Sequence, residues 1–313
     1  MIIWLASYPK SGNTWVRSFL SSLIYKKDGT ADLNAMPISQ YPLRSHFKGL
    51  VSEFDNINLL SEKWISSQDF LNLDNKIKFF KTHHVMCNFG KNSFTNYENT
   101  FGVIYIVRDP RNVITSILNY FSKRNYGEAK EFLFDERKVI GVDFSKKNRH
   151  ESGNNIATLI SSWKTHYNSW KNFKKNFLLI KYENLINNER SEFLKIRNYL
   201  EEKLNLKFTD NKFDTAISSN SFAKLKKIEE IEGFSENVKV DFKPQVNFFN
   251  LGPENDYKNL LDENISKEIE KILDDISFTA TDRAGEKIII NKDYINKNLD
   301  NLVKDTDLSK FIL

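Results

Sequence analysis

A chain of 313 residues with 40% hydrophobic and 28% charged side chains has the apolar content for a packed core, which excludes a disordered or fibrous protein. Its 46 basic and 41 acidic residues leave a net charge of +5 spread along the chain, too mild for a nucleic-acid partner and suited to an anionic small ligand. Cys87 is the sole cysteine, which excludes intrachain disulfides and cysteine-cluster metal sites and leads us to expect a reducing, cytoplasmic setting.

The opening MIIWLASYPKSG lacks the leading positive charges and the length of a signal peptide and reads as a buried strand, Ile2 to Ala6. A helix follows Gly12, with Trp15, Val16, Phe19, Leu20, Leu23 and Ile24 on one stripe. Residues 26–75 are polar, aromatic and poorly periodic, and are expected to form irregular segments and short helices outside the sheet. Discrimination of a small-molecule partner is expected in this insertion, where Tyr41, Phe47, Trp64 and Phe70 suit core packing or an apolar, ring-bearing partner. Ile77 to Lys81 reads as the next strand and Val103 to Val107 as another, and Val113, Ile114, Ile117, Leu118 and Phe121 mark the helix after it. Ile156, Leu159, Ile160, Trp163, Tyr167 and Trp170 at helical spacing predict a helix over about 156–170. Phe177 to Lys181 is a strand, and a helix follows Asn188. The polar tail, 280–313, is read as a C-terminal extension in which RAGEKIII offers one short strand. No run approaches about 18 apolar residues, so no membrane span is expected. Strands alternating with helices predict an α/β protein with a largely parallel sheet in a single domain, 1–313.

The strand, the polar turn Ser7 to Gly12 and the helix behind it carry the most chemistry. A helix N-terminus offers unpaired N–H groups and the positive end of the dipole, and Gly12 admits an anion close to the backbone. Lys10, Ser11 and Thr14 add a charge and hydroxyl donors, which makes this a phosphate-binding element. It is not the nucleoside-triphosphatase loop, because the lysine precedes the only glycine. YPKSGNTW instead resembles the 5′-phosphosulfate loop of cytosolic-type sulfotransferases, enzymes that use 3′-phosphoadenosine 5′-phosphosulfate (PAPS). The resemblance implies a three-layer α/β/α fold with a P-loop-like nucleotide-binding core. It also implies that Lys10 meets the oxygen bridging phosphate and sulfate, that Ser11, Gly12, Asn13 and Thr14 cradle the phosphate, and that Trp15 stacks on adenine or packs in the core.

A second loop, GVIYIVRDPRNVITS, runs from strand to Arg108 to a helix with Asp109 as N-cap and Pro110 at its first position. It resembles the family's 3′-phosphate motif, which assigns Arg108 and Ser116 to that phosphate; an arginine fork suits paired phosphate oxygens.

KTHH ends the strand between the two loops and resembles the family's K-T-H element, which implies Lys81 as a helper at the sulfuryl group and His83 as general base. His83 and His84 side by side suggest a metal pair, but strand neighbours face opposite ways and no metal is expected. KYEN resembles the family's Tyr-Glu-Asp strand end and gives Tyr182 as a nucleotide contact, with Asn184 in place of the aspartate. Ser221 and Phe222 resemble a Ser-Phe pair beside the adenine. FFNLGPENDYKNLL resembles a C-terminal loop in which Gly252, Asp256 and Lys258 match, Tyr257 replaces tryptophan, and Asn250 and Leu251 replace an Arg-Lys pair.

The expected activity is sulfuryl transfer from PAPS to a hydroxyl of a small-molecule, glycan or lipid acceptor, giving PAP and a sulfate ester. A small-molecule kinase with a variant phosphate loop, or a non-catalytic PAP sensor, is the alternative, and a homodimer is left open.

Overall fold

Every residue of β1 (Ile2–Ser7) is buried, the signature of a central strand covered on both faces. The computed structural model describes residues 1–141, 156–236 and 247–270. β3 (Lys78–Thr82), β6 (Thr100–Val107) and β9 (Phe177–Lys181) fall within three residues of the expected strands. With the edge strand β2 (Ser39–Gln40), all pair in parallel in the order β2-β3-β1-β6-β9. Successive strands therefore add on both sides of β1, which opens a crevice at its C-terminal end, where open α/β sheets bind ligands.

The edge strand β2 (Ser39–Gln40) corrects the expectation that 26–75 lies wholly outside the sheet, since Ser39 pairs with Phe80 and Gln40 with Lys81. Two residues joined by backbone alone leave no period in the sequence. The rest of that segment is a 3-10 turn (Arg44–Phe47) and the short helices α2 (Ile57–Ser61) and α3 (Trp64–Asn72). Tyr41, Phe47 and Trp64 are fully buried, whereas Phe70 is 61% exposed.

Period-two alternation splits β1 between two helical layers. Ile3 and Leu5 join Val16 and Phe19 of α1 (Asn13–Tyr25), with Phe193 and Ile196 of α8 (Glu189–Leu204) and Phe213 of α9 (Asp210–Ser219) in one core. Trp4 faces the other way, onto Tyr41, Phe80 and Phe94, and bonds Thr100 Oγ1 through its indole N–H at 2.9 Å. After β6, α4 (Pro110–Tyr120) starts as expected, with the Asp109 carboxylate accepting from the Arg111 N–H at 2.8 Å. α5 (Tyr126–Phe134) packs on it.

The helix expected over 156–170 is shorter. α6 spans Trp163–Lys171, and Thr158–Leu159 pairs antiparallel with Val139–Ile140 instead. Ser161 breaks the helix with a left-handed φ of 59°, and Ser162 Oγ caps the new start by accepting from the Thr165 N–H at 3.1 Å. Ile156 and Ile160 are buried all the same, so their spacing reflected burial without helix. A short α7 (Tyr182–Asn187) links β9 to α8; α10 (Phe222–Glu232), α11 (Tyr257–Leu260) and α12 (Glu263–Glu270) complete the described chain. Met1–Glu270 forms one compact unit. The expected extension 280–313 and its RAGEKIII strand lie outside the described residues. No helix among the described residues is long and apolar enough to cross a membrane.

The Phe19 and Phe193 rings stack at 3.8 Å in the α1–α8 layer, both fully buried. Phe193→Ala should therefore cost about 3–5 kcal/mol in denaturant unfolding. Phe70→Ala, at an exposed position, should stay within about 0.5 kcal/mol; equal losses would contradict this core.

Candidate active site

The loop after β1 turns through two left-handed residues, Lys10 at φ 67° and Gly12 at φ 94°, before α1 begins. Glycine is required at the second because a Cβ there would collide with the Tyr182 ring. Ser11 is fully buried and its Oγ has no partner, a donor waiting in the cradle. Asn13 serves the loop itself, its amide donating to Leu5 O at 3.0 Å and Ser7 Oγ at 3.1 Å. Thr14 is buried at the first turn of α1. The Lys10 ammonium lies over the Tyr120 and Phe248 rings, 4.1 and 3.7 Å from their centroids. Burial and the neighbouring Arg108 and Lys81 charges lower its pKa to about 7.

Arg108, at the end of β6, ties the two loops together. Its Nη1 donates to Lys10 O at 3.0 Å and to Ser116 Oγ at 3.3 Å, and its guanidinium covers the Tyr182 ring at 4.1 Å. Its buried Nε has no partner. Asn255, which the sequence did not point to, donates to Ser116 Oγ at 3.4 Å.

Four residues chosen from separate motifs meet in one wall. Trp15 packs edge-on against Tyr182 at 5.9 Å and Phe222 at 6.0 Å, and Phe222 in turn lies where a Cβ on Gly252 would fall. Trp15 is only 4% exposed and donates to Asn220 O at 2.7 Å, so it is anchored in the core as well as beside the site. Asp256 caps α11, Arg111 lies over the Tyr257 ring, and Lys226 reaches Asn250 O at 3.3 Å.

At the end of β3, Lys81 is buried and His83 is half-buried. His83 Nδ1 lies 2.8 Å from Ser7 O. A carbonyl only accepts, so Nδ1 carries the proton and Nε2 is left with its lone pair. Burial and the Lys81 charge push the His83 pKa down to about 3, which keeps the ring neutral. His84 turns into the core, stacked on Phe94 at 4.1 Å, so the two histidines do not form a ligand pair. Among the described residues no three His, Cys, Asp or Glu side chains gather to hold a metal.

α6 fixes this strand end from beneath. His166 contacts His83 O at 3.2 Å and accepts from the Tyr105 hydroxyl at 2.9 Å, Trp170 donates to His84 O at 2.9 Å, and Ser169 Oγ accepts from the Met86 N–H at 3.2 Å. The sequence showed this helix only as an apolar stripe, and the WxxHxxSW spacing that aligns these donors was its available signal. Arg17 and Glu236 were also missed; Glu236 bonds Arg17 at 2.5 Å and Lys81 at 3.1 Å.

The fold is similar to that of mouse sulfotransferase SULT7A1 complexed with PAP, with TM-score 0.51 and 17% identity over 96% of this chain and 88% of that one. It is similar also to retinol dehydratase in a complex with retinol and PAP, with TM-score 0.54 and 13% identity over 93% of this chain and 83% of that one. Among curated relatives, the ATP-dependent protease ATPase subunit HslU of Rhodopseudomonas palustris (strain HaA2) is 60% identical over 45 residues, 14% of this chain. The chain spans only 10% of that relative's length, so the likeness assigns it no activity. The family model for the sulfotransferase domain matches residues 2–287, nearly the whole sequence, and the chain therefore belongs to the sulfotransferase domain family.

Proposed function

We propose that this protein transfers a sulfuryl group from PAPS to the hydroxyl of a small-molecule acceptor, releasing PAP. The observation that carries the reading is the bond from Arg108 to Lys10 O and Ser116, which sets two anion-binding loops side by side at one crevice. The residues fit a nucleotide phosphorylated at both ends. Ser11 Oγ and Arg108 Nε are buried polar atoms without partners in the two loops, and each loop leads into a helix N-terminus.

In the proposed division of labour, Gly12, Ser11, Thr14 and the start of α1 hold the 5′-phosphate, while Arg108 and Ser116 hold the 3′-phosphate. Trp15, Tyr182, Phe222 and Gly252 form the wall beside the base. His83 Nε2 takes the proton of the acceptor hydroxyl as its oxygen bonds to sulfur, and the electron pair of the breaking sulfur–oxygen bond goes to the 5′-phosphate, where Lys10 offsets the new charge. Burial and then the Lys81 charge depress the His83 pKa, and an anion in the site offsets the second of these and so raises it. The one cysteine, Cys87, is free, in keeping with the reducing, cytoplasmic setting we propose.

The test is PAPS turnover against a mixed panel of phenols, alcohols and sugars, read by sulfate-ester mass. His83→Ala should lower kcat by about 10²–10⁴-fold and leave PAP affinity nearly unchanged, as expected of a base that meets only the acceptor. Arg108→Ala should instead weaken PAP by on the order of 2 kcal/mol. A His83 variant of near-wild-type kcat would remove it as the base, and no sulfate ester with any acceptor would contradict the activity.

Lys10 generates a pH prediction. Its pKa is about 7 in the free protein, held down by burial, Arg108 and Lys81 against the opposing Glu229 and Glu236. An anionic ligand raises it, so binding favours the protonated form: affinity is full below about 7 and falls as pH rises toward the pKa of the complex. Calorimetry of PAP at about pH 8 in buffers of different ionisation enthalpy should show uptake of close to one proton, lost in Lys10→Met. No uptake in the wild type would contradict this assignment.

A further inference from the structure

Arg17 is a charge on the buried side of α1, and its side chain is 3% exposed. An arginine that deep requires an anion. Its Nη2 bonds one oxygen of the Glu236 carboxylate at 2.5 Å, and Lys81 Nζ bonds the other at 3.1 Å. Arg17 Nε is buried with no partner, so its fork keeps a donor in reserve. The Glu236 side chain is 33% exposed, with an open way to water, while its backbone carbonyl is held by the Tyr120 hydroxyl at 3.3 Å.

This is an unusual place for a carboxylate. Besides standing between Arg17 and Lys81, it favours the protonated forms of Lys10 and His83 through its charge. Burial alone would raise its pKa, but Lys81 and Arg17 pull it to about 2, so it stays ionised. Two cations on two oxygens of one anion is the reception that a sulfuryl group, with three terminal oxygens, would also accept.

Resting on the sulfuryl-transfer reading, we propose that Arg17 joins Lys81 in receiving the oxygens of the transferred sulfuryl group, and that the Glu236 carboxylate holds these two cations until the donor displaces it. Glu236 keeps two buried like charges apart from each other's field at the cost of competing with the donor. PAP has no sulfuryl group and leaves the Arg17–Glu236–Lys81 contacts in place, whereas PAPS breaks them. Glu236 thereby weakens the donor selectively.

Calorimetric titration of PAP and PAPS without acceptor, on wild type, Glu236→Gln and Arg17→Gln, tests this. Glu236→Gln should tighten PAPS about tenfold more than PAP, because the competing anion is removed. Arg17→Gln should weaken PAPS about tenfold relative to PAP. PAP binding by each variant reports that the nucleotide site is intact, and Glu236→Gln, at a partly exposed position, keeps the test decisive if the arginine variant does not fold. Equal shifts for PAP and PAPS, or none, in Glu236→Gln would overturn the proposal alone. A wild-type protein that binds neither nucleotide would overturn the reading of the site and the proposal with it.

Discussion

Four cations share one poorly solvated crevice: Lys10 after β1, Arg17 in α1, Lys81 at the end of β3 and Arg108 at the end of β6. Burial and mutual repulsion are both expensive at low dielectric, and the Lys10 pKa of about 7 reflects burial first and the Arg108 and Lys81 charges after it. The fold contains this charge in three ways. Aromatic faces of Tyr120, Phe248 and Tyr182 receive Lys10 and Arg108, main-chain and hydroxyl oxygens of Lys10 and Ser116 accept from Arg108, and Glu236 bridges Arg17 and Lys81. A polyanion entering the crevice meets donors already in position, which is the preorganisation that electrostatic catalysis needs.

The rest of the structure serves that placement. Parallel strands bring the C-terminal ends of β1, β3 and β6 to the same edge, and the order around β1 puts the β3 and β6 ends on either side of the loop after β1. Glycine at 12 and 252 lets Tyr182 and Phe222 close against the backbone, so the wall beside the two loops is built from packing. Beneath it, His166 and Trp170 hold the carbonyls of His83 and His84. Ser7 O fixes the His83 tautomer, so the chemistry of Nε2 depends on a bond at the other side of the ring.

Much of this was legible in the sequence. Buried parallel strands read as apolar runs, and β1, β6 and β9 announced themselves; Gly12 and Pro110 marked the two helix starts with residues whose backbone preferences are strong. Where the pattern misled, burial and periodicity had separated: Ile156, Leu159 and Ile160 keep helical spacing in a segment that is extended, because Ser161 adopts a left-handed turn that no neighbour signals. The edge strand Ser39–Gln40 pairs through its backbone and left no side-chain trace. Glu236 was invisible for a different reason, since one glutamate in a polar stretch carries no pattern and its meaning comes only from Arg17 and Lys81, 219 and 155 residues away.

The proposed function requires the two loops to be spaced for the two ends of one nucleotide, and thermal denaturation with PAP, AMP and Mg-ATP at equal concentration tests that spacing most directly. Ligand linkage predicts that PAP, proposed to fill both the Lys10 loop and the Arg108 loop, raises the melting temperature well above AMP and above Mg-ATP. A shift with Mg-ATP equal to or larger than that with PAP would contradict it.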